Sequence, residues 1–159
     1  MAKKGKRKAA EGDVATNRRA SHKYQLVDRF EAGIQLSGSE VKSLREGKSQ
    51  IGDAYASIRD GEMWLYNAHI PHYEPASDQN HDPERPRKLL VHRYEIERLV
   101  GRMDRKGLTL IPTRVYFKGP WAKVEIALAT GKQQHDRRRE IRDRDVQRDV
   151  ERELRDRQR

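Results

Sequence analysis

The segment Ala54-Tyr55-Ala56-Ser57-Ile58-Arg59-Asp60-Gly61-Glu62-Met63-Trp64-Leu65-Tyr66-Asn67-Ala68-His69-Ile70 holds two strand-length runs on either side of Asp60-Gly61. Asp-Gly accepts positive φ at both central turn positions, so it joins antiparallel strands through a tight hairpin. In the second run Trp64, Tyr66, Ala68 and Ile70 alternate with other residues, which predicts that their side faces the core. Upstream, Tyr24, Leu26, Phe30, Ile34 and Leu36 form an extended pattern with Gly33 as an expected bulge. Downstream, Leu89 to Val91 is strand-like, and Leu108–Ile111 and Thr113–Phe117 read as strands interrupted by Pro112. Gly119-Pro120 turns the chain into a last strand, where Val124, Ile126 and Leu128 alternate with Lys123 and Glu125.

Two helices interrupt these strands. Ser37-Gly38-Ser39-Glu40 has capping-box spacing, Val41 and Leu44 follow on one face, and Gly47 fits the stop. Lys42 and Arg45 fall on the outward side of that helix. Ile96, Leu99, Val100 and Met103 follow helical spacing up to Gly107. Between the helices, Tyr73 to Lys88 contains three prolines and is expected to be a long exposed loop. Short strands joined mostly by turns predict a mainly β fold, an OB-like antiparallel barrel with two or three inserted helices.

Charge divides the 159 residues differently. Residues 1–19 carry seven Lys or Arg against two acids, residues 20–130 seventeen against fifteen, and residues 131–159 eleven against eight. Most of the net charge of +10 therefore sits in the ends. Basic extensions on a near-neutral domain point to a polyanion, because neutralising phosphates releases counterions. Three regions are expected: a flexible, disordered basic arm over 1–16, an RNA-binding barrel over 17–130, and a basic tail over 131–159. In that tail Val146, Val150 and Leu154 recur every four residues, a stripe too narrow for a core. The tail is expected to be disordered alone and helical on contact with a partner.

Other functions find little support. Without cysteine there is no disulfide framework or thiolate site. Gly47-Lys48-Ser49 resembles the end of a phosphate loop, but Lys42 stands where the first glycine is needed. His69 and His72 lack a third ligand, so no metal or other cofactor is expected. Ser39-Glu40-Val41-Lys42 matches Ser-x-x-Lys but reads as the first turn of a helix. No apolar run is long enough to span a bilayer, and the basic N-terminus is not followed by the apolar stretch of a secretory signal. The expectation is a cytoplasmic protein, not an enzyme, with no membrane or small-molecule partner and acting as a monomer.

Several segments then form an ordered set: Asn17-Arg18-Arg19-Ala20-Ser21-His22-Lys23-Tyr24, Phe30-Glu31-Ala32-Gly33-Ile34, Gly38-Ser39-Glu40-Val41-Lys42-Ser43-Leu44-Arg45, Asp60-Gly61-Glu62, Arg85-Pro86-Arg87-Lys88-Leu89-Leu90 and Gly131-Lys132-Gln133-Gln134-His135-Asp136-Arg137-Arg138. Together they resemble the SsrA-binding proteins (small protein B), bacterial partners of transfer-messenger RNA. The resemblance implies an OB-like barrel without catalytic activity. It also implies a role in trans-translation: binding the tRNA-like part of that RNA, assisting its aminoacylation and delivering it to stalled ribosomes. By resemblance Asn17, Tyr24, Glu31, Leu90 and Lys123 belong to the RNA-facing surface. Arg18, Arg19, Arg87 and Lys88, within the same motifs, are expected RNA contacts as well.

The chemistry of these side chains fits RNA. Tyr24 and His22 offer rings for stacking, and Asn17 and Glu31 can bond base edges or ribose hydroxyls. Lys123, Lys42 and Arg45 suit phosphates. For Leu90, core packing is an equal alternative. The resemblance further implies that Gly131, Lys132, His135, Asp136, Arg137 and Arg138 enter the small ribosomal subunit, with His135 stacking on a ribosomal base and the following residues lying in the message channel. Arg137 stands where the family usually has Lys, which keeps the charge and changes the hydrogen-bond geometry.

Overall fold

The computed structural model describes residues 12–104, 107–131 and 134–157, with side chains for all of them except 134–137. The hairpin that organises the sequence is present: β3 (Tyr55–Arg59) and β4 (Glu62–Tyr66) pair antiparallel around Asp60 (φ 52°) and Gly61 (φ 73°). With β1 (Asp13–Thr16), β2 (Tyr24–Ile34), β5 (Arg87–Leu90), β6 (Thr109–Lys118) and β7 (Trp121–Gly131) they form one antiparallel sheet, in the order β1-β6-β3-β4-β5-β2-β7. A further β6–β7 pairing closes the sheet into a barrel, with β1 laid along the free edge of β6. Closure leaves few exposed strand edges. The OB-like barrel expected from sequence is the fold.

The interior is filled by Met63, Leu65, Leu89, Leu110, Val124, Ile126 and Leu128, all essentially inaccessible. Two helices cap it, α2 (Gly38–Arg45) through Leu44 and α3 (Arg93–Met103) through Leu99. Ser37 and Glu40 make the predicted capping box of α2. A short helix α1 (Ala20–Lys23) precedes β2, and α4 (Gln134–Arg157) follows β7. Among the described residues no helix is long and apolar enough to cross a membrane.

The structure departs from the sequence expectations at several places. In β4 the buried side chains are Met63 and Leu65, so Trp64 and Tyr66 face outward. The alternation is reversed beyond the strand because Asn67 has φ 59°, and this left-handed residue turns Ala68 and Ile70 inward. β6 runs through Pro112 as one strand. Its outer edge pairs with β3 at Leu110 and with β1 from Arg114, and Pro112, which has no N–H to donate, occupies the gap.

The bulge in β2 falls between Leu26 and Asp28, whereas Gly33 stays in register with Lys123 and Leu90. The segment from Tyr73 is largely exposed, as expected, until β5 begins at Arg87, and Asn80 closes it on itself by bonding both the N–H (2.8 Å) and the carbonyl (2.9 Å) of Tyr73. Finally, β1 occupies Asp13–Thr16 inside the stretch expected to be a disordered arm, the rest of which, residues 1–11, lies outside the described residues, and Gly131, expected to open the tail, ends β7. The tail, expected to be disordered alone, is helical here over Gln134–Arg157.

Candidate nucleic-acid interface

Glu31 in β2, Lys88 and Leu90 in β5, and Lys123 in β7 meet on one open groove of about 900 Å³. Strand alternation puts them there. Lys88 and Leu90 occupy the outward positions of β5, and the β2–β7 register sets Lys123 opposite Gly33 and Glu125 opposite Glu31. Leu90 is 55% exposed, which decides against core packing for it. It lies across Gly33, where an added Cβ would come 3.3 Å from the Leu90 Cβ.

Glu31 is held by one hydrogen bond and two ion pairs. The Tyr116 hydroxyl donates to its Oε2, and the Lys118 and Lys123 ammonium groups stand 3.7 and 3.9 Å from Oε1. The Tyr116 bond, with the two lysines, lowers the Glu31 pKa despite some desolvation. Burial and the same bond push Tyr116 up to about 12. The carboxylate thus stays ionised, and adjacent cations offset its repulsion of phosphate. A carboxylate has further lone pairs with which to accept from base amino or imino groups or from ribose hydroxyls.

Across from Glu31 on β7, Glu125 accepts from the Thr113 hydroxyl at 2.7 Å and from Arg114 at 3.3 Å, and Arg29 pairs with it at 3.3 Å. Burial alone would raise the Glu125 pKa, but these donors lower it. Arg114 also reaches Asp13 at 3.0 Å, tying β1 to this face. On the far side of β2, Arg102 of α3 bonds Asp28 at 2.9 Å, and this bond is the main reason the Asp28 carboxyl titrates low.

Arg87 is a correction. It occupies an inward position of β5 and its side chain is 0% exposed, so it presents nothing to RNA in this structure. Its guanidinium pairs with the buried Glu40 and donates to the carbonyls of Ala68 (2.7 Å) and Pro83 (3.1 Å). Arg85 bonds the other Glu40 oxygen at 2.5 Å, as does the Ser37 N–H at 3.2 Å. Desolvation works to raise the Glu40 pKa, yet the Arg87, Arg85 and Ser37 bonds bring it down to about 2. The cluster fastens α2 to the segment before β5.

Asn17 is also buried. Its backbone N–H donates to the Thr113 carbonyl (2.7 Å) and its side-chain amide to that of Pro112 (3.0 Å), which bridges the gap between β3 and β1. This anchors the adjacent Arg18 and Arg19, which are exposed, as is His22. Tyr24, half-buried, packs beside Ala20, Ile111 and Ala129 at the opposite end of β2 from Gly33. The expected RNA face is therefore split, one part at the groove and one around α1. Lys42 lies over Tyr73 (5.7 Å) and Arg45 over Phe117 (4.1 Å), both exposed on α2.

In the tail, Arg138 is exposed, whereas Lys132 and the side chains of His135, Asp136 and Arg137 lie outside the described residues. Sequence reasoning passed over Trp121, 68% exposed opposite Lys118, and the stacked pair His92 and Tyr94 (5.5 Å) beside the groove. The available signal was an aromatic residue directly after a turn or a strand end. Among the described residues no cluster of His, Cys, Asp or Glu could hold a metal.

The family model for SmpB protein matches residues 14–156. The chain belongs to the SmpB family. Curated SmpB relatives described as SsrA-binding protein include one from Mycolicibacterium vanbaalenii, 55% identical over 141 residues, covering 89% of this chain and 86% of the relative. Another, from Carboxydothermus hydrogenoformans, is 51% identical over 142 residues and covers 89% of this chain and 95% of the relative. A solved SmpB structure, described as "tmRNA-SmpB: a journey to the center of the bacterial ribosome", superposes with a TM-score of 0.64 at 45% identity. It covers 80% of this chain and 93% of its own.

Proposed function

We propose that this chain is an RNA-binding adaptor that holds the tRNA-like domain of transfer-messenger RNA, assists its aminoacylation and delivers it to stalled ribosomes in trans-translation. The observation that carries the reading is the convergence of Glu31, Lys88, Leu90 and Lys123, from three separate strands, on one groove of an SmpB-family barrel. The groove combines an apolar surface for bases, an ionised acceptor and flanking cations, which suits unpaired or splayed RNA better than a plain duplex backbone. The relatives' description as SsrA-binding proteins, and a solved neighbour described with tmRNA and the ribosome, support the same reading.

In this proposal the chain contributes no catalysis and works in the bacterial cytoplasm. Arg18, Arg19, His22 and Tyr24 make a second contact with the RNA from the α1 end. Gly131 to Arg138 enters the small subunit, where His135 stacks on a ribosomal base, and α4 lies in the message channel. Affinity capture of the full chain from a bacterial lysate, with sequencing of the bound RNA, tests the reading. Strong enrichment of transfer-messenger RNA is expected; equal recovery of all small structured RNAs would favour a generic RNA-binding protein.

A further inference from the structure

β4 departs from the pattern of a half-buried strand. Met63 and Leu65 take its core positions, yet two of the three outward residues, Trp64 and Tyr66, are aromatic rather than polar. β3 continues the pattern, with Tyr55 opposite Tyr66, Ser57 opposite Trp64 and Arg59 opposite Glu62. The Tyr55 and Tyr66 rings stack with centroids 5.4 Å apart at 22°. The Arg59 guanidinium lies 5.1 Å from the Tyr66 centroid. Tyr55 remains 40% exposed, so ring surface is available on the Tyr55 side of the stack, and the cation lies on Tyr66.

This face is continuous with the groove. Asp60, Gly61, Glu62 and Met63, from the same hairpin, line the groove wall, and Lys88, a groove residue, sits opposite Trp64. Lys88 also pairs with Glu62 at 2.9 Å. An RNA strand leaving the groove across β5 and β4 therefore arrives at Tyr66, Tyr55 and Arg59 without crossing another element of the sheet.

We propose that the outward face of β3–β4 is a stacking platform for an unpaired base of the same RNA that occupies the groove, with Arg59 meeting its phosphate. The proposal rests on the RNA-binding reading of that groove. Every base has a π-face and stacking is tolerant of sequence, so the platform contributes affinity rather than base identity. An exposed aromatic–arginine pair is suited to such a nucleotide, because the ring takes the base and the guanidinium takes the charge.

The test measures binding of the full chain to transfer-messenger RNA at fixed salt. Tyr55→Ser is expected to weaken affinity about tenfold, whereas Tyr55→Phe, which keeps the ring, binds as wild type. Arg59→Ser, at an exposed position, is expected to weaken binding several-fold. Wild-type affinity in both Tyr55→Ser and Arg59→Ser overturns the proposal. If Lys123→Ala alone weakens binding, the groove stands and the platform falls; if the unaltered chain does not bind this RNA, both fail. A photo-crosslinking aromatic residue in place of Tyr55, irradiated in lysate, is expected to attach to transfer-messenger RNA. Attachment only to ribosomal RNA or only to protein contradicts it.

Discussion

Glu31 is a carboxylate on a surface proposed to meet a polyanion, and the Tyr116 hydroxyl and two flanking lysines make that tenable. Because Tyr116, Lys118 and Lys123 hold it ionised, its contribution is as an acceptor, and the cost of replacing it falls on recognition. Glu31→Ala is expected to weaken transfer-messenger RNA binding in a gel-shift titration while leaving the melting temperature nearly unchanged, since Glu31 is exposed. A large fall in melting temperature would make it a structural residue.

Glu40 is the opposite case. Its carboxyl sits at about 2 against an ordinary 4.5, so the folded state binds its proton less readily than the unfolded state. Its stabilisation is complete above about pH 4.5 and is lost as pH falls toward about 2. Glu40→Gln should be less stable at neutral pH by about 3–5 kcal/mol, because Arg87 would be left buried without its counter-charge. It should also lose less stability on acidification than wild type does. Urea titrations at several pH values check both statements. Glu125 and Asp28, also lowered, add to the acid limb in both proteins, so the difference between them isolates Glu40.

Among the elements, β4 shows why orientation depends on one backbone angle. Asn67, at φ 59°, lets Met63 and Leu65 face inward in the strand and Ala68 and Ile70 face inward after it. Asn67→Val should destabilise the barrel by about 1–2 kcal/mol, while Asn67→Gly should not, as read by denaturant midpoint. Strands, their hairpin turn and the capping box of α2 were legible, since each is written in local spacing. The face of β4 was not, because apolar residues occupy both of its sides and the deciding φ leaves only a weak trace in sequence. Arg87 was misplaced for a related reason. A motif names the residue, but the inward or outward position follows from the β4–β5 register, which is a long-range property. Pro112 reads as a strand break until the gap between β3 and β1 is seen, and Asn17 fills that gap from far along the chain.

At the scale of the whole molecule, positive charge at the ends flanks a barrel whose own balance is close to neutral. The tail is nonetheless a mixed-charge helix: Arg144 pairs with Glu140 and Arg148 with Asp145, each at 3.9 Å, while Ile141, Val146, Val150 and Leu154 stay exposed. Acids placed one turn from arginines support a solvated helix, which gives Glu140 and Asp145 a structural use. The account assigns RNA capture to the barrel and ribosomal placement to the tail, and removal of residues 132–159 separates the two. Gly131 is retained because it pairs with Tyr24 at the end of β7. The most direct measurement compares this truncated chain with the full chain in one preparation, for affinity toward transfer-messenger RNA and for tagging of stalled peptides. Nearly unchanged affinity with tagging abolished is expected; loss of both together, or tagging that survives the truncation, would show that capture and placement are not divided between barrel and tail.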